Sequence, residues 1–340
     1  MRRLGIRASA IAAGVILAAC TAVSPSPAAV PRAAPTGTTT SPNASQCASS
    51  SPSTPNPFAI ASRIDPASLG LTTIGSLAIG TDNNLYVTES KPGVAVISPV
   101  GKLVRRWGKA GTAPGEFSFE FASDSQLGAG HTLYASMAIG GDGLIYVSDT
   151  ANDRVQIFRA TGQFVRQIAF NAPDGVLAPG DVAADVEGNV YISDNADQSV
   201  TISKYSKAGA LLWRVGGTNE PDSDLRGHAH FSGFDSQGRL VFASDDTDKV
   251  VYLSPDGHKI FAFDTKFDAN ACDVTLDMRG DQFVNGCDPG TVVFDSGHKL
   301  VGAWIGPDDP LAAAPRFGPN GATWALGHDG SILRLTVTLP

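Results

Sequence analysis

The feature that most constrains this chain is a pattern of four short apolar segments that returns along residues 70–305. The clearest copy begins Met137-Ala-Ile-Gly-Gly-Asp-Gly-Leu-Ile-Tyr-Val-Ser-Asp149 and continues through two further segments, one of them Arg154–Phe158. Equivalent positions in five copies lie 42 to 60 residues apart, at Leu77, Met137, Val182, Ser232 and Val274. Four strands per unit at such a period are typical of β-propeller blades.

The sequence therefore predicts an all-β fold, a six-bladed β-propeller of four-stranded antiparallel blades over residues 58–340. Rings of five or seven blades remain as alternatives. After residue 305 the apolar runs are too few for four regular strands. We expect Phe58–Ile64 to supply the outer strand of the last blade, because pairing the two chain ends removes a free sheet edge.

Two stretches resemble the NHL repeat family. They are Val-Ser-Asp-Thr-Ala-Asn-Asp-Arg-Val-Gln-Ile-Phe at 147–158 and Trp-Gly-Lys-Ala-Gly-Thr-Ala-Pro-Gly-Glu-Phe at 107–117. The resemblance covers residues 70–305 and implies a propeller. It implies little about function, because one fold hosts many functions.

Residues 1–19 are predicted to be a bacterial lipoprotein signal peptide. Three arginines precede an apolar stretch, Ala8–Ala19, that is shorter than the roughly 20 residues of a membrane span. The stretch ends Leu17-Ala-Ala-Cys20 and resembles a lipobox, which implies cleavage before Cys20 and lipid attachment to it. More than one acyl chain gives stable anchoring to the outer side of the cell membrane. An ordinary secretory signal is the alternative.

Residues 20–57 are rich in Ala, Ser, Thr and Pro, with Arg32 as their single charge. Such a segment cannot bury enough apolar surface to fold, so it is predicted to be a disordered tether. Cys47 lies within it and has no evident partner.

The formal net charge is −8, and no dense run of Lys and Arg is present. This composition argues against binding to nucleic acid. The expected partners are the membrane, through the lipid on Cys20, and an unidentified protein, peptide or glycan. We expect the chain to be a monomer.

Cys272 and Cys287 bracket a predicted hairpin whose turn is Met278-Arg-Gly-Asp281. Counted from that turn the two cysteines lie opposite each other, within reach of a disulfide after a modest adjustment. Export makes oxidation plausible. Two reduced thiols and a metal-binding pair are the alternatives.

The inner strands of a propeller begin around its axial channel. The candidate channel or ligand-binding residues at those starts are Ser76, Ser136, Asp181, His230 and Asp273. Residues i and i+2 of a strand point the same way, so His228 and His230 form a candidate metal pair for zinc or calcium. Asp181, Asp273 or His131 would supply a third ligand. A solvated histidine pair is the alternative.

Two other recurring features are interpreted as structural. An acid follows the second strand of several copies, and its carboxylate is expected to accept backbone N–H bonds in the following turn; these acids are Glu89, Asp149, Asp194 and Asp245. Aromatic residues near the ends of fourth strands are expected to pack between blades, an exposed stacking surface being the alternative; they are Trp107, Trp213, Phe263 and Trp304.

The longest insertion spans 108–131 and carries Phe117, Phe119, Phe121 and His131. Loops on a rigid scaffold often carry binding residues, so this segment is a candidate binding element. A buried strand is the alternative.

These features favour a membrane-anchored extracytoplasmic propeller that binds or scaffolds a protein, peptide or glycan. The alternative is a metal-dependent propeller enzyme, a lyase or lactonase-like hydrolase with its site in the axial channel. A sensor that acts through a partner protein is a third option. Lyase-like zinc sites need three converging histidines, and His230 is the one suitably placed at a strand start.

Overall fold

A computed structural model describes residues 54–119, 135–170, 179–194, 201–217, 220, 222–225, 228–245, 247–265 and 270–340. Over these residues the chain forms six four-stranded antiparallel sheets arranged in a ring. The predicted all-β, six-bladed propeller is confirmed. None of the helical turns in the described ranges is long and apolar enough to cross a membrane.

The first strand, β1 (Phe58–Ile64), belongs to the last blade. Blade 1 consists of β2 (Ile74–Ile79), β3 (Leu85–Glu89), β4 (Gly93–Ile97) and β5 (Leu103–Trp107). Blade 2 consists of β6 (Met137–Ile139), β7 (Ile145–Asp149), β8 (Arg154–Phe158) and β9 (Phe164–Ala169). Blade 3 consists of β10 (Pro179–Ala184), β11 (Val190–Asp194), β12 (Thr201–Tyr205) and β13 (Leu211–Gly216).

Blade 4 consists of β14 (Ala229–Phe234), β15 (Leu240–Ser244), β16 (Lys249–Leu253) and β17 (Lys259–Asp264). Blade 5 consists of β18 (Ala271–Leu276), β19 (Gln282–Gly286), β20 (Gly290–Phe294) and β21 (Leu300–Ile305). Blade 6 takes β22 (Arg316–Phe317), β23 (Thr323–Leu326) and β24 (Ile332–Val337) from the end of the chain.

The ring closes through β1, as predicted. This strand pairs antiparallel with β24, with Phe58 opposite Val337 and Ile64 opposite Ile332. Phe58 also stacks on Trp304 of blade 5, with ring centroids 6.2 Å apart. The last four described residues before β1, at the end of the predicted tether, already contact the propeller, since the Ala303 N–H donates to the Pro55 carbonyl at 3.0 Å.

The core lies between neighbouring blades. In the first such layer, Val94 and Val96 of blade 1 pack in one cluster with Ile145 and Val147 of blade 2. Each blade is covered on both faces by its neighbours, so the two middle strands of blade 1 are buried at every position. The outer strand β9 instead alternates between more and less exposed residues up to Gln167, because successive side chains of a strand point to opposite faces.

The aromatic residues of the fourth strands pack between blades, as predicted. Trp107 of blade 1 covers Gly162 of blade 2, where an added Cβ would lie 2.9 Å from the indole ring. Trp213 of blade 3 covers Gly257 of blade 4 in the same way, again at 2.9 Å. Phe263 packs against Phe294 of blade 5, with centroids 5.2 Å apart. These contacts couple the rims of neighbouring blades.

The described part of the insertion, residues 108–119, is exposed over most of its first half and anchors to blade 2 through its second half. Phe117 is fully buried and Phe119 is 9% exposed. Arg154 donates to the carbonyls of Ala113 and Glu116 at 3.0 and 2.9 Å. Phe117 and Phe119 belong to the core, as the buried-strand alternative expected for the aromatic residues, and binding by the rest of the insertion stays a prediction. Phe121 and His131 lie outside the described residues.

Candidate functional site

The inner strands surround an axial cavity of about 1090 Å³. All five side chains predicted at the strand starts line this one cavity, namely Ser76, Ser136, Asp181, His230 and Asp273. His228, Cys272 and Cys287 line it as well. Ligand binding by these residues stays a prediction.

Three of the cavity-lining side chains accept a backbone hydrogen bond from the next blade. Ser136 Oγ accepts from the Val182 N–H at 3.4 Å, and Asp181 Oδ2 accepts from the Phe231 N–H at 3.0 Å. Asp273 Oδ2 accepts from the Ala314 N–H at 2.9 Å, just ahead of β22. We call Ser136, Asp181 and Asp273 the belt. The belt joins neighbouring blades around the channel, so its members have a structural role beside any role in binding.

His230 lies between two carboxylates. Its Nδ1 is 3.6 Å from Asp181 Oδ2, and its Nε2 is 3.9 Å from Asp245 Oδ2. Burial disfavours the imidazolium, but Asp181 and then Asp245 outweigh burial and raise the pKa of His230 to about 10. His230 is therefore a cation at neutral pH, and it offsets charge on the belt.

His228 and Asp245 form a second pair at the same mouth of the channel. The His228 backbone N–H donates to Asp245 Oδ1 at 2.9 Å, and His228 Nδ1 lies 3.0 Å from Asp245 Oδ2. Burial would raise the pKa of Asp245, but His228 and His230 lower it overall. The backbone bond supports a structural role for this acid, although its donor precedes β14 and does not lie in the turn after Asp245 as predicted. Its place on the cavity, facing two histidines, was missed.

The ladder of blade 4 explains why this pairing was missed. Ala229 pairs with Ser244, which puts His228 across from Asp245. A bulge between Phe231 and Gly233 shifts this register, so a count outward from the turn at residue 238 places Asp245 opposite Ala229 instead.

The equivalent acids of other blades face away from the cavity. Asp149 accepts from the Ser118 N–H at 2.6 Å and forms a buried ion pair with Arg154 at 2.7 Å. Glu89 accepts from the Thr72 N–H at 3.2 Å. The structural role is confirmed for these two acids, but their backbone donors precede the first strands of the blades and do not lie in the following turn as predicted. The side chain of Asp194 lies outside the described part.

Asp273 is bound to blade 6 by an arginine that the sequence did not single out. Arg316 Nη2 lies 2.9 Å from Asp273 Oδ2, and Arg316 Nη1 donates to Thr275 Oγ1 at 2.6 Å. Burial raises the pKa of Asp273, although the charge of Arg316 opposes that effect. Arg316 was missed because β22 has only two residues and carries no repeat pattern.

The predicted disulfide between Cys272 and Cys287 is confirmed, with a Cα–Cα distance of 5.1 Å. The predicted register is not. Ala271 pairs with Gly286 and Asp273 with Asn285, so Cys272 lies in a β-bulge rather than in a regular cross-strand pair. The hairpin is centred on Arg279, with Leu276 opposite Gln282, and not on the middle of residues 278–281 as counted, and the bulge shifts the pairing by one more residue.

The metal pair stays a prediction. Among the described residues, no group of three or more His, Cys, Asp and Glu side chains is arranged to hold an ion. A histidine binds a metal through its neutral imidazole. The raised pKa of His230 keeps its ring in the imidazolium form at neutral pH, with a proton on both nitrogens. Zinc or calcium would have to displace one of these protons. His131 lies outside the described ranges.

The lining of the cavity mixes charged, small and apolar residues along the inner strands. Asp181, His230 and Asp273 lie at the strand starts, and Asp185 and Asp235 lie just past the ends of β10 and β14. Small and apolar residues line the space between them, including Ala78, Ala138, Ile79, Ile139 and Leu276. A ligand in the cavity could therefore meet charged groups at both ends and apolar side chains along the wall.

No family model and no curated protein matches this chain. The NHL resemblance therefore stays a prediction, while the fold it implies is confirmed. Solved propellers do match in structure. A streptogramin B lyase is 12% identical with a TM-score of 0.57, covering 83% of this chain and 98% of its own.

The virginiamycin B lyase from Staphylococcus aureus is 11% identical, with a TM-score of 0.55, over 83% of this chain and all of its own. A catalytically inactive histidine-to-alanine variant of that enzyme, crystallised with quinupristin, is 11% identical, with a TM-score of 0.56 over the same shares. At such identities the similarity shows a shared fold.

Proposed function

We propose that the chain is a membrane-anchored, extracytoplasmic binding propeller that takes an organic ligand, a peptide or a glycan, into its axial cavity. The observation that carries the proposal is the cavity of about 1090 Å³, with apolar walls and a few charged groups at both ends of the inner strands. Sites of this kind usually hold small ligands, at volumes of roughly 300–1,000 Å³.

Two features support export and anchoring. The first twenty residues carry the positive and apolar regions of a signal peptide and end in the lipobox-like Leu17-Ala-Ala-Cys20. The disulfide between Cys272 and Cys287 fits an oxidising compartment. Cys20 and Cys47 lie outside the described residues, so membrane attachment is a matter for experiment.

A matched pair of variants tests the binding site. Ser232→Trp places a large side chain on the cavity wall, whereas Ser296→Trp places the same side chain on an exposed outer hairpin. A library of peptides and glycans is screened by thermal shift against the wild type and both variants. We expect ligands that stabilise the wild type and Ser296→Trp but not Ser232→Trp. Ligands that stabilise all three proteins equally would place binding elsewhere.

The second candidate function is that of an enzyme with acid–base chemistry at the same site. Its supporting observation is the His228–Asp245 pair, because a carboxylate 3.0 Å from Nδ1 sets the tautomer and orientation of an imidazole. The lyases of similar fold are enzymes. If the chain turns over a ligand found in the screen, His228→Ala should abolish product formation while binding persists. Unchanged turnover in His228→Ala would exclude this pair as catalytic.

The metal-dependent form of that enzyme has a separate test. Elemental analysis of protein purified without chelator should find one equivalent of zinc or calcium, lost in His228→Ala, if His228 and His230 hold an ion. Metal-free protein that still binds a ligand in the cavity would remove this form and leave the binding function intact.

A further inference from the structure

The disulfide is part of the wall of the axial cavity. Cys272 keeps 8% of its surface exposed, Cys287 is half-buried, and both line the cavity. A small molecule inside the channel can therefore reach the sulfurs without unfolding of the blade.

Cys287 of blade 5 lies at the position that Asp245 occupies in blade 4. In blade 4 the Asp245 N–H donates to the His228 carbonyl at 3.4 Å, and in blade 5 the Cys287 N–H donates to the Asn270 carbonyl at 2.8 Å. Cys287 thus occupies the position of Asp245. In blade 4 the carboxylate closes this corner by accepting the His228 N–H. In blade 5 the covalent bond to Cys272 closes it instead.

The disulfide also stabilises the contact between blades 5 and 6. Cys272 lies in the bulge immediately before Asp273. Asp273 accepts the Ala314 N–H at 2.9 Å and pairs with Arg316 at 2.9 Å. The disulfide therefore fixes the backbone that presents this belt carboxylate to blade 6, and blade 5 has no acid at the corner to replace it.

We propose that Cys272–Cys287 is a reversible modification site for small thiols that enter the axial cavity, and that its reduction loosens the contact of Asp273 with blade 6. A thiolate of a dithiol attacks one sulfur, the S–S bond breaks, a mixed disulfide forms, and the released cysteine takes a proton. The second thiol of the reagent then attacks the mixed disulfide and releases the other cysteine. Two electrons and two protons pass from the dithiol, which leaves as a disulfide.

The test uses dithiothreitol on the folded full chain, with free thiols trapped by iodoacetamide and counted by mass spectrometry. We expect reduction in proportion to dithiothreitol concentration and more than about tenfold faster than global unfolding, whose rate spans many decades among proteins and is measured in parallel. Amide exchange of Ala314 should rise more than about tenfold on reduction, since its acceptor is freed. The Phe231 amide, bound to Asp181 between blades 3 and 4, is the internal control and should not change.

A matched double variant tests whether a carboxylate can hold this corner of blade 5 in place of the disulfide. Cys272→Ala combined with Cys287→Asp installs the acid that blade 4 uses at this corner, so Ala314 exchange should stay slow with and without dithiothreitol. Reduction of the wild type no faster than global unfolding would overturn the proposal. So would Ala314 exchange that is unaffected by reduction, whether or not the variant folds.

Discussion

The belt makes a quantitative prediction at Asp181. Removing this side chain takes a charged acceptor from the Phe231 N–H, at 3.0 Å, which costs about 1.5–3 kcal/mol. It also removes the ion pair with His230, whose side chain is 30% exposed, so solvent screening limits that loss to about 0–1 kcal/mol. Asp181→Ala is therefore expected to lower the free energy of unfolding by about 1.5–4 kcal/mol.

The assay is chemical denaturation of Asp181→Ala, Asp181→Asn and the control Ser76→Ala. The asparagine keeps an acceptor for the Phe231 N–H and loses the charge, so it should cost about 1–2 kcal/mol. Ser76 lines the cavity without a described hydrogen bond, and its loss should cost less than about 0.5 kcal/mol.

A double-mutant cycle with His230→Ala should give a coupling energy of about 0.5–3 kcal/mol. The reasoning is refuted if Asp181→Ala costs no more than Ser76→Ala, because the belt would then contribute nothing measurable to holding the blades together.

Three further predictions concern closure, pH and anchoring. Phe58→Ala should cost about 3–5 kcal/mol in unfolding free energy, against less than about 0.5 kcal/mol for Leu103→Ala on an exposed outer strand; equal costs would mean that β1 does not close the ring. The pKa of His230 is raised to about 10, so its stabilisation is complete below its unfolded value and is lost as pH rises toward 10; denaturation across that window should show this fall in wild type and not in His230→Gln. Cys20→Ser should move the protein from the membrane to the soluble fraction, and Cys47→Ser should not; membrane retention of Cys20→Ser would exclude the lipid anchor.

The sequence was sufficient for the architecture because each blade repeats the same alternation of apolar segments and turns. It also predicted the closure by Phe58–Ile64, since the incomplete last blade needed a strand from elsewhere. The register at Cys272 was not predicted, because the hairpin is centred on Arg279 and a bulge then shifts the pairing by one more residue.

The site was only partly predictable. Strand starts converge on the axis of any propeller, and this rule alone placed Asp181, His230 and Asp273 on one cavity. Arg316 and the channel-facing role of Asp245 were missed for two different reasons. Arg316 lies in an irregular strand, and Asp245 repeats a residue that elsewhere is only structural. The volume of the axial cavity depends on how the six blades pack around the axis, and the sequence of one repeat does not determine that packing.

The central claim, that the axial cavity holds an organic ligand, is tested most directly by native mass spectrometry of the protein isolated gently from its own cell envelope. The account predicts a bound organic species on the wild type and on Ser296→Trp that is absent from Ser232→Trp, in which an indole side chain obstructs the cavity. The same bound mass on all three proteins, or none on the wild type together with no stabilising compound in the peptide and glycan library, would contradict it.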